Sequence, residues 1–485
     1  MFKTMFILIL PEIVLTFMAC FILIIDLFLN KTKKWVTYFL TQLTLVCVFL
    51  CLCFIWNSSG DILFDGSIII DKFSVLLKIV IIIIASVIFL YSKIHLNNIG
   101  IYIGEYFVLA LFSILGMMII ISSANFLTLY LGIELLSLPI YALISITKKY
   151  YNVYEASMKY FIMGSIASAV LLFGVSFVYG ISGTINFVDI SYLISDQGLN
   201  NNIIVQIGLI FIVSGFAFKF GVVPFHMWVP DVYQGSPISI TLFISTIPKI
   251  AAFGIAYRLL SEVFGHLSNI WEFMLIIMSI FSLLLGNIVA IVQQNIKRMF
   301  AYSAIAHMGF VFLGLVSGIH DNYVSVLFYI IIYSLMSLGV FAIVICISKG
   351  IIESEYIENF KGLHEKNPWI AFLMMLLLLS MSGIPPTVGF YAKFLVLREI
   401  VNLGYFAVAI IAVISSVIGA FYYLRIIKVM YFDKISFSCT LDLNCNNSLN
   451  MTNFGIFILS INGLLVLLFG IFPFPLLSVC QMVLF

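Results

Sequence analysis

The feature that most constrains this chain is a series of long apolar segments that contain few charged residues. A membrane-spanning helix needs roughly 20 consecutive apolar residues, whereas a membrane-spanning strand alternates apolar and polar residues. The segments are continuous, so they predict helices. Hydrophobic residues make up 63% of the chain and charged residues 9%, a composition with too little polar surface for a soluble protein. The sequence therefore predicts an all-α polytopic membrane protein.

Fourteen segments of this kind are present, and we number the predicted spans 1 to 14 in chain order. They cover residues 6–29, 35–56, 73–93, 103–122, 124–146, 155–180, 203–225, 236–260, 271–292, 300–318, 323–348, 367–401, 404–430 and 454–482. An even number of spans places both termini on the same side of the membrane.

The basic residues of the loops indicate the orientation. Fourteen lysines and arginines fall in one set of alternate loops, and only Lys3, Lys72, Arg258 and Arg398 fall on the opposite side. Loops rich in lysine and arginine stay in the cytoplasm. The sequence thus predicts that both termini lie on the outer, periplasmic side.

Five lysines remain, and all lie within predicted spans: Lys78, Lys159, Lys219, Lys249 and Lys393. A charged residue at the bilayer centre costs roughly 2.5–3.5 kcal/mol on insertion scales. A lysine near a helix end avoids this cost when its ammonium group reaches the interface, and this alternative stays open for Lys78 and Lys159. We expect the other three lysines inside the protein.

Each of these three lysines lies near a proline. The pairs are Pro224 with Lys219, Pro248 with Lys249, and Pro385 and Pro386 with Lys393. A proline leaves the carbonyl group four residues earlier without its donor, and in a membrane that carbonyl must find water, a side chain or another helix. The sequence therefore predicts broken helices beside these lysines, next to hydrated cavities.

Other titratable residues extend this set. Glu134 lies about halfway along span 5 and is able to form an ion pair with Lys219. The carboxylate would stabilise the protonated lysine, and Lys219 would release its proton when the two groups separate. His226 follows Pro224, and His307 lies within span 10. Either histidine has the chemistry of a proton relay near neutral pH, or is simply hydrogen-bonded within the helix bundle.

The predicted broken helices 7 and 12 occupy equivalent positions if spans 4–8 and 9–13 form two five-helix units. Repeats with discontinuous helices are typical of ion-coupled transporters. The predicted organisation is residues 1–102 for helices 1–3, 103–262 for the first unit, 271–432 for the second unit, and 450–485 for helix 14.

Neither a metal site nor an organic cofactor site is predicted in this chain. Cys47, Cys51 and Cys53 cluster in one apolar segment without histidine or carboxylate partners, which is typical of small apolar filling residues rather than of metal ligands. A glycine-rich dinucleotide motif after a strand is also lacking. Any redox chemistry linked to this protein is therefore expected in another chain.

Four sequence segments resemble a known family. They are LYLGIELLSLPIYAL around Glu134, FKFGVVPFHMWVPDVYQGSP around Lys219, NIKRMFAYSAIAHMGF around His307, and SGIPPTVGFYAKF around Lys393. They resemble the antiporter-like subunits of bacterial proton-pumping NADH:quinone oxidoreductase (complex I), and the resemblance covers nearly the whole chain. It implies fourteen helices, inverted repeats of helices 4–8 and 9–13, and broken helices 7 and 12.

The resemblance also implies roles for individual residues. Glu134 and Lys219 would form the family's ion pair, Lys249 the central relay, and Lys393 the relay on the exit side. Lys159 matches a further family lysine. His226 and His307 stay secondary candidates on their own chemistry and position, not on the resemblance. The chain would be a translocase subunit of an enzyme whose NADH, FMN, iron–sulfur clusters and quinone are bound by partner subunits of the membrane-embedded complex.

Two features distinguish types within this family. The M type usually has a glutamate where this chain has Lys393, and the L type carries a long lateral helix after helix 14, whereas this chain ends at Phe485. The N type fits both features. The alternative is a subunit of a multi-subunit Na⁺/H⁺ antiporter, a related transporter without a redox partner.

Overall fold

A computed structural model describes residues 2–30, 34–56, 60–99, 104–146, 151–196, 199–316, 320–348, 355–433 and 452–484. Some of the basic loop residues counted above lie outside these described residues, namely Lys31, Lys33, Lys148, Lys149, Lys349 and Lys434.

The described residues are almost entirely helical. The α-helices are α1 (Phe2–Leu8), α2 (Leu10–Phe28), α3 (Trp35–Ile55), α4 (Lys72–Ile99), α5 (Gly104–Ile121), α6 (Phe126–Ile144), α7 (Tyr151–Ser182), α8 (Phe187–Asp196), α9 (Ile203–Phe220), α10 (Trp228–Gly235), α11 (Ile238–Tyr257), α12 (Ser268–Val292), α13 (Ile296–Leu315), α14 (His320–Ile347), α15 (Leu363–Lys366), α16 (Pro368–Ser382), α17 (Val388–Asn402), α18 (Phe406–Tyr431), α19 (Asn453–Ile471) and α20 (Phe474–Leu484). Two strands, β1 (Asp61–Leu63) and β2 (Ile68–Ile70), form an antiparallel hairpin.

Within the described residues, 13 helical segments are long and apolar enough to cross a membrane. Predicted span 12 is divided into α16 and α17, which have 15 residues each and are too short to be among these 13 segments. The all-α polytopic fold is thus confirmed. Predicted span 14 is shorter than expected, because α19 ends at Ile471 and α20 begins at Phe474. The intervening Pro473 disfavours a helical conformation of the preceding residue.

The two predicted broken helices are present and are built in the same way. Gly221 directly follows helix α9 and Gly383 directly follows helix α16, and these glycines have φ angles of +73° and +85°. Each glycine N–H donates to carbonyl groups of the preceding turn, at 3.0–3.1 Å. Glycine adopts this left-handed conformation without the steric cost that other residues meet. A proline follows soon after each glycine, so neither helix continues directly.

Helix α11 does not break at Pro248, contrary to the sequence prediction. It runs from Ile238 to Tyr257 with Pro248 inside it, and all of its residues are buried. One proline removes a single backbone hydrogen bond, and surrounding helices make this tolerable in a membrane protein. Helix α11 packs against α4 and α5 on one side and against α14 on another. Lys249 therefore lies on a continuous central helix.

Arg258 was predicted in an outer loop, and this prediction is wrong. Its side chain is only 1% exposed, because the helical path of α11 continues through a π-helical turn, Arg258–Val263. The guanidinium group donates two hydrogen bonds of 2.8 Å to Asp71 and also pairs with Glu262. Burial acts to raise the pKa of Asp71, but Arg258 and Ser74 together hold it below its usual value.

The hairpin was not predicted from the sequence either. Ile69 donates to the carbonyl of Ser122 at 2.8 Å, and Ala124 donates to that of Ser67 at 3.1 Å. The hairpin, which lies between α3 and α4, is thus hydrogen-bonded to the residues that follow α5. Strands of three residues are too short for the alternating pattern that identifies strands in a sequence.

Helix α19 packs closely against the break between α16 and α17, with Gly470 at the point of contact. A β-carbon at this position would lie 2.1 Å from the carbonyl oxygen of Pro386 and 2.6 Å from the carbonyl carbon of Thr387. We expect Gly470→Ala to lower the melting temperature of the assembled protein, because overpacking typically costs about 1–3 kcal/mol and backbone atoms here have little room to move.

Gly180→Ala is the matched control, because a β-carbon there meets no atom within 4 Å. Thermal unfolding in detergent measures both variants. Equal melting temperatures for the two variants would contradict this account of how α19 packs.

Candidate proton-transfer site

Lys219 lies in the last turn of α9, directly before the first break. Its side chain is half-buried, and its Nζ donates a hydrogen bond of 2.7 Å to Ser137 Oγ on α6. Ser137 is fully buried and in turn donates to the carbonyl of Ile133. A hydroxyl group thus accepts the hydrogen bond of this ammonium group.

The predicted ion pair between Glu134 and Lys219 is not formed in this structure. Glu134 is half-buried on α6, one turn before Ser137. Among the described residues, no carboxylate lies within 4.0 Å of the Lys219 ammonium group. The ammonium group points to the serine one turn further along the same helix, and side-chain direction of this kind is not encoded in sequence spacing.

A small cavity adjoins Lys219. Its walls include Tyr160, Trp228 and Pro248, together with aliphatic side chains of α5, α6 and α11. The structure thus places a cavity beside this lysine and helix break, and its hydration stays a prediction.

Lys249 is only 1% exposed and lies against the end of α9. Its Nζ donates to the carbonyl oxygens of Lys219, at 3.3 Å, and of Phe220. These carbonyls belong to the last turn of a helix, where partners within the helix are lacking and the helix dipole is negative. The ammonium group also lies 5.3 Å from the centre of the Trp228 ring, a distance that permits a cation–π interaction.

Lys393 is held in the same manner at the second break. Its Nζ donates to the carbonyl oxygens of Met381, at 3.0 Å, and Ser382, at 2.9 Å, in the last turn of α16. The Phe310 ring centre lies 5.3 Å away. The two breaks therefore form similar cation sites, each with two backbone carbonyls and an aromatic ring.

His307 is buried and has partners on both ring nitrogens. Nδ1 lies 2.7 Å from the Tyr329 hydroxyl, and Nε2 lies 3.2 Å from the Tyr423 hydroxyl. His307 and Lys393 line a common small cavity. The structure thus brings these two predicted residues together, and it adds two tyrosines that no sequence pattern indicated.

His226 lies in the first break and is 7% exposed. Its Nδ1 is buried, and no described residue provides a hydrogen-bond partner for that atom. It contacts none of the three central lysines through a hydrogen bond among the described residues.

Lys159 belongs to a surface network and not to the buried site. Its side chain is 43% exposed and pairs with Glu155 at 2.7 Å and with Asp231 at 2.8 Å, while Arg298 also pairs with Asp231 at 2.9 Å. Burial acts to raise the pKa of Asp231, but Lys159 and Arg298 hold it below its usual value. Asp231 was not predicted as a site residue, although it lies within the segment that surrounds Lys219.

Lys78 does not reach the interface, since its side chain is 2% exposed and pairs with Glu12 at 2.6 Å. This pair joins α4 to α2, on helices that precede the first predicted unit. Among the described residues, no three His, Cys, Asp or Glu side chains are grouped as metal ligands.

A helical membrane fold with broken helices and lysines beside the breaks is typical of ion-translocating membrane subunits. Residues 123–419 match the membrane-domain family described as NADH:quinone oxidoreductase/Mrp antiporter. The chain therefore belongs to this family.

Curated relatives give the type within the family. NADH-quinone oxidoreductase subunit N of Thioalkalivibrio sulfidiphilus is 46% identical over 470 residues, which cover 97% of this chain and 96% of that protein. Subunit N of Coxiella burnetii is 43% identical over 467 residues, which cover 96% of this chain and 95% of that protein.

Two solved structures have the same fold. A chain of respiratory complex I from Thermus thermophilus with bound aureothin is 26% identical, with a TM-score of 0.81, and the match covers 96% of this chain and 98% of that one. A chain of the Mrp complex from Dietzia is 18% identical, with a TM-score of 0.82 over 100% of this chain and 97% of that one. The second match shows the fold alone.

Proposed function

We propose that this chain is the N-type membrane-arm subunit of a proton-pumping NADH:quinone oxidoreductase, in which it translocates protons. The observation that carries the proposal is the set of lysines on broken or central helices, with Lys249 and Lys393 held by the carbonyl ends of half-helices. Protein that only has to span a membrane needs no ammonium groups in its interior.

Lysine suits this role because its ammonium group releases a proton when it is removed from water, whereas arginine keeps its charge. Protons enter from the cytoplasm and reach Lys219, pass to Lys249 on the central helix, and leave by way of Lys393. Glu134 approaches Lys219 in a second state, in which the carboxylate replaces Ser137 as its partner. His307 and, more peripherally, His226 and Lys159 serve as secondary relays.

The orientation belongs to the same proposal. The chain lies in the bacterial inner membrane with both termini outward. In support, the ion pairs Asp231–Arg298 and Lys297–Glu355 occupy the end of the molecule that carries the basic loops. The two units are residues 103–262 and 271–432. Other membrane-arm subunits are the partners, and NADH, FMN, iron–sulfur clusters and quinone are bound within the partner subunits.

The composition of the complex tests the assignment. Purified in mild detergent through a tag on this chain, the protein is expected to co-purify with NADH-oxidising activity that reduces quinone. Purification without that activity, together with Na⁺-driven proton exchange in vesicles, would instead assign the chain to a multi-subunit Na⁺/H⁺ antiporter.

Lys393→Ala tests the relay within the intact complex. We expect NADH-driven acidification of vesicles to fall by roughly a hundredfold, which is the lower end of what a positioned proton-transfer group contributes. Lys366→Ala is the control, because Lys366 is exposed at the end of α15. Normal acidification by the Lys393 variant would remove Lys393 from the path.

A further inference from the structure

Helix α10 is the short helix that follows the first break, and it covers the pocket of Lys249. Its first residue, Trp228, is buried and donates through its indole nitrogen to the carbonyl of Phe218 at 3.0 Å. The next residue, Val229, lies so close to Gly221 that a β-carbon on this glycine would come within 2.5 Å of it. The same β-carbon would lie 3.6 Å from the Lys249 ammonium group. Helix α10 therefore shields Lys249.

This short helix depends on its neighbours for its position. It has only eight residues, whereas isolated helices shorter than roughly 12–15 residues are marginal in water. The break separates it from α9, so the preceding helix does not continue into it. Contacts with other helices must therefore hold α10 against Lys249.

On one side, α10 packs against α7 through three contacts. A β-carbon at Gly235 would lie 2.6 Å from an alanine side chain of α7, so the two helices are very close. Asp231 accepts a hydrogen bond of 2.8 Å from Lys159. The Trp228 ring stacks on that of Tyr160, with 4.6 Å between the ring centres. Because Lys159 and Tyr160 are adjacent in the sequence, the ion pair at the surface lies beside the stacked rings inside.

On the other side, the first turn of α13 holds α10. Arg298 donates to Asp231 and to Gln234, both at 2.9 Å. The Lys297 ammonium group donates to the carbonyl of Ser236 at 3.1 Å, and Ser236 directly follows α10. A cation is favourable at this end of a helix, where carbonyl groups lack partners and the helix dipole is negative.

Asp231 takes part in both sets of contacts. Its Oδ2 pairs with Lys159 of α7, and its Oδ1 pairs with Arg298 of α13. A single exposed ion pair contributes little to stability, but a carboxylate shared by two cations restrains three helices at once. Since α7 and α13 belong to different predicted units, this one side chain joins the two units at α10.

We propose that Asp231 is a positioning residue for proton transfer, which holds α10 in place and thereby keeps Trp228 over the Lys249 ammonium group. This inference rests on the proposed proton translocation. Asp231 takes up no proton itself and acts through Trp228, whose ring centre lies 5.3 Å from that ammonium group. A displaced α10 would admit water to the pocket, and the distances on which proton transfer depends would no longer be fixed.

Asp231→Ala in the assembled complex tests the proposal. Lys159 keeps its pair with Glu155, and Arg298 keeps its hydrogen bond to Gln234, so neither cation is left without a partner and we expect normal assembly. Protons moved per NADH oxidised are expected to fall by roughly threefold to tenfold. Unchanged stoichiometry would overturn the proposal. If the alanine variant does not assemble, Asp231→Asn, which keeps the size of the side chain, gives the same test.

Glu155→Gln is the matched control. Glu155 pairs with the same lysine, Lys159, at 2.7 Å, but both residues belong to α7, so this pair does not restrain α10. We expect an unchanged proton yield. A fall as large as that of Asp231→Ala would mean that the environment of Lys159 matters and not the position of α10, which would refute the proposal.

Asp231→Glu is the conservative variant. Its longer side chain keeps a carboxylate between Lys159 and Arg298, so most of the proton yield is expected to return. A yield as low as that of Asp231→Ala would contradict a role that depends on these two ion pairs.

Trp228→Phe shows whether Asp231 acts through Trp228. This variant keeps a ring but loses the N–H group that donates to Phe218, and we expect a lower proton yield. Adding Asp231→Ala is expected to have little further effect, because both changes then disturb the same contact with Lys249. A general loss of stability would instead add to the effect of Trp228→Phe, so additive effects would overturn the proposal.

Lys393→Ala separates this inference from the proposed function. If Lys393→Ala loses proton transfer while Asp231→Ala keeps it, the role of Asp231 is wrong and the proposed function stands. If both variants pump normally, the proposed function fails as well.

Discussion

Lys219→Ala is expected to abolish NADH-driven proton transfer through this subunit while the complex still assembles. The substitution removes the ammonium group beside the cavity between α6, α9 and α11 and leaves no protonatable group at the end of α9. Alanine is an excellent helix former and has no charge to bury, so the fold is retained. Acidification of vesicles at matched NADH oxidation rates is expected to drop by at least about tenfold.

Ser137→Ala is the informative comparison for this variant. It removes the hydrogen-bond acceptor but keeps the proton carrier, so its effect is expected to be clearly smaller. If Lys219→Ala pumps as well as the unmodified protein, or if Ser137→Ala has the larger effect, the role assigned to Lys219 is wrong.

Lys249→Arg is expected to stop proton transfer although the positive charge remains. A guanidinium group still donates to the carbonyls of Lys219 and Phe220 and still lies near Trp228, so assembly is expected to be normal. It does not give up its proton in a protein, so the site stays permanently charged. Proton yield is expected to fall to a level close to that of Lys249→Gln, which has no charge at all.

Comparing Lys249→Arg with Lys249→Gln separates the effect of the positive charge from the effect of proton exchange. A purely structural role for the Lys249 charge would leave the arginine variant active and the glutamine variant damaged. Proton yield per NADH, together with gel analysis of the assembled complex, measures both effects. Activity in Lys249→Arg would contradict the relay.

Much of the fold was predictable because it depends on local chemistry. Continuous apolar segments specify membrane helices. A glycine followed by a proline specifies a helix end, as at Gly221 and Gly383. The lysines of the site were predictable for the same reason, since a charge inside an apolar segment is visible without any knowledge of tertiary structure.

Contacts between helices could not be predicted from the sequence. Whether Lys219 meets Glu134 or Ser137 depends on the rotation of α6 and α9, and both residues lie on the same helix within one turn. The link between His307 and Tyr423 depends on how α13 packs near α18. Arg258 was wrongly predicted in a loop because a π-helical turn extends the helix into a segment that is less apolar. Its partner Asp71 is distant in sequence, so the ion pair was not visible in the sequence either.

Ammonium groups held by carbonyl oxygens have an electrical consequence. At Lys249 and Lys393 the surrounding partners are neutral dipoles, so each pocket carries a full positive charge when loaded and none when empty. A lysine bound to a carboxylate would instead pass from neutral to negative. A protonated lysine in one pocket therefore repels a proton in the next, because Coulomb repulsion acts over many ångströms in a medium of low polarity. Neighbouring lysines are expected to be protonated in alternation.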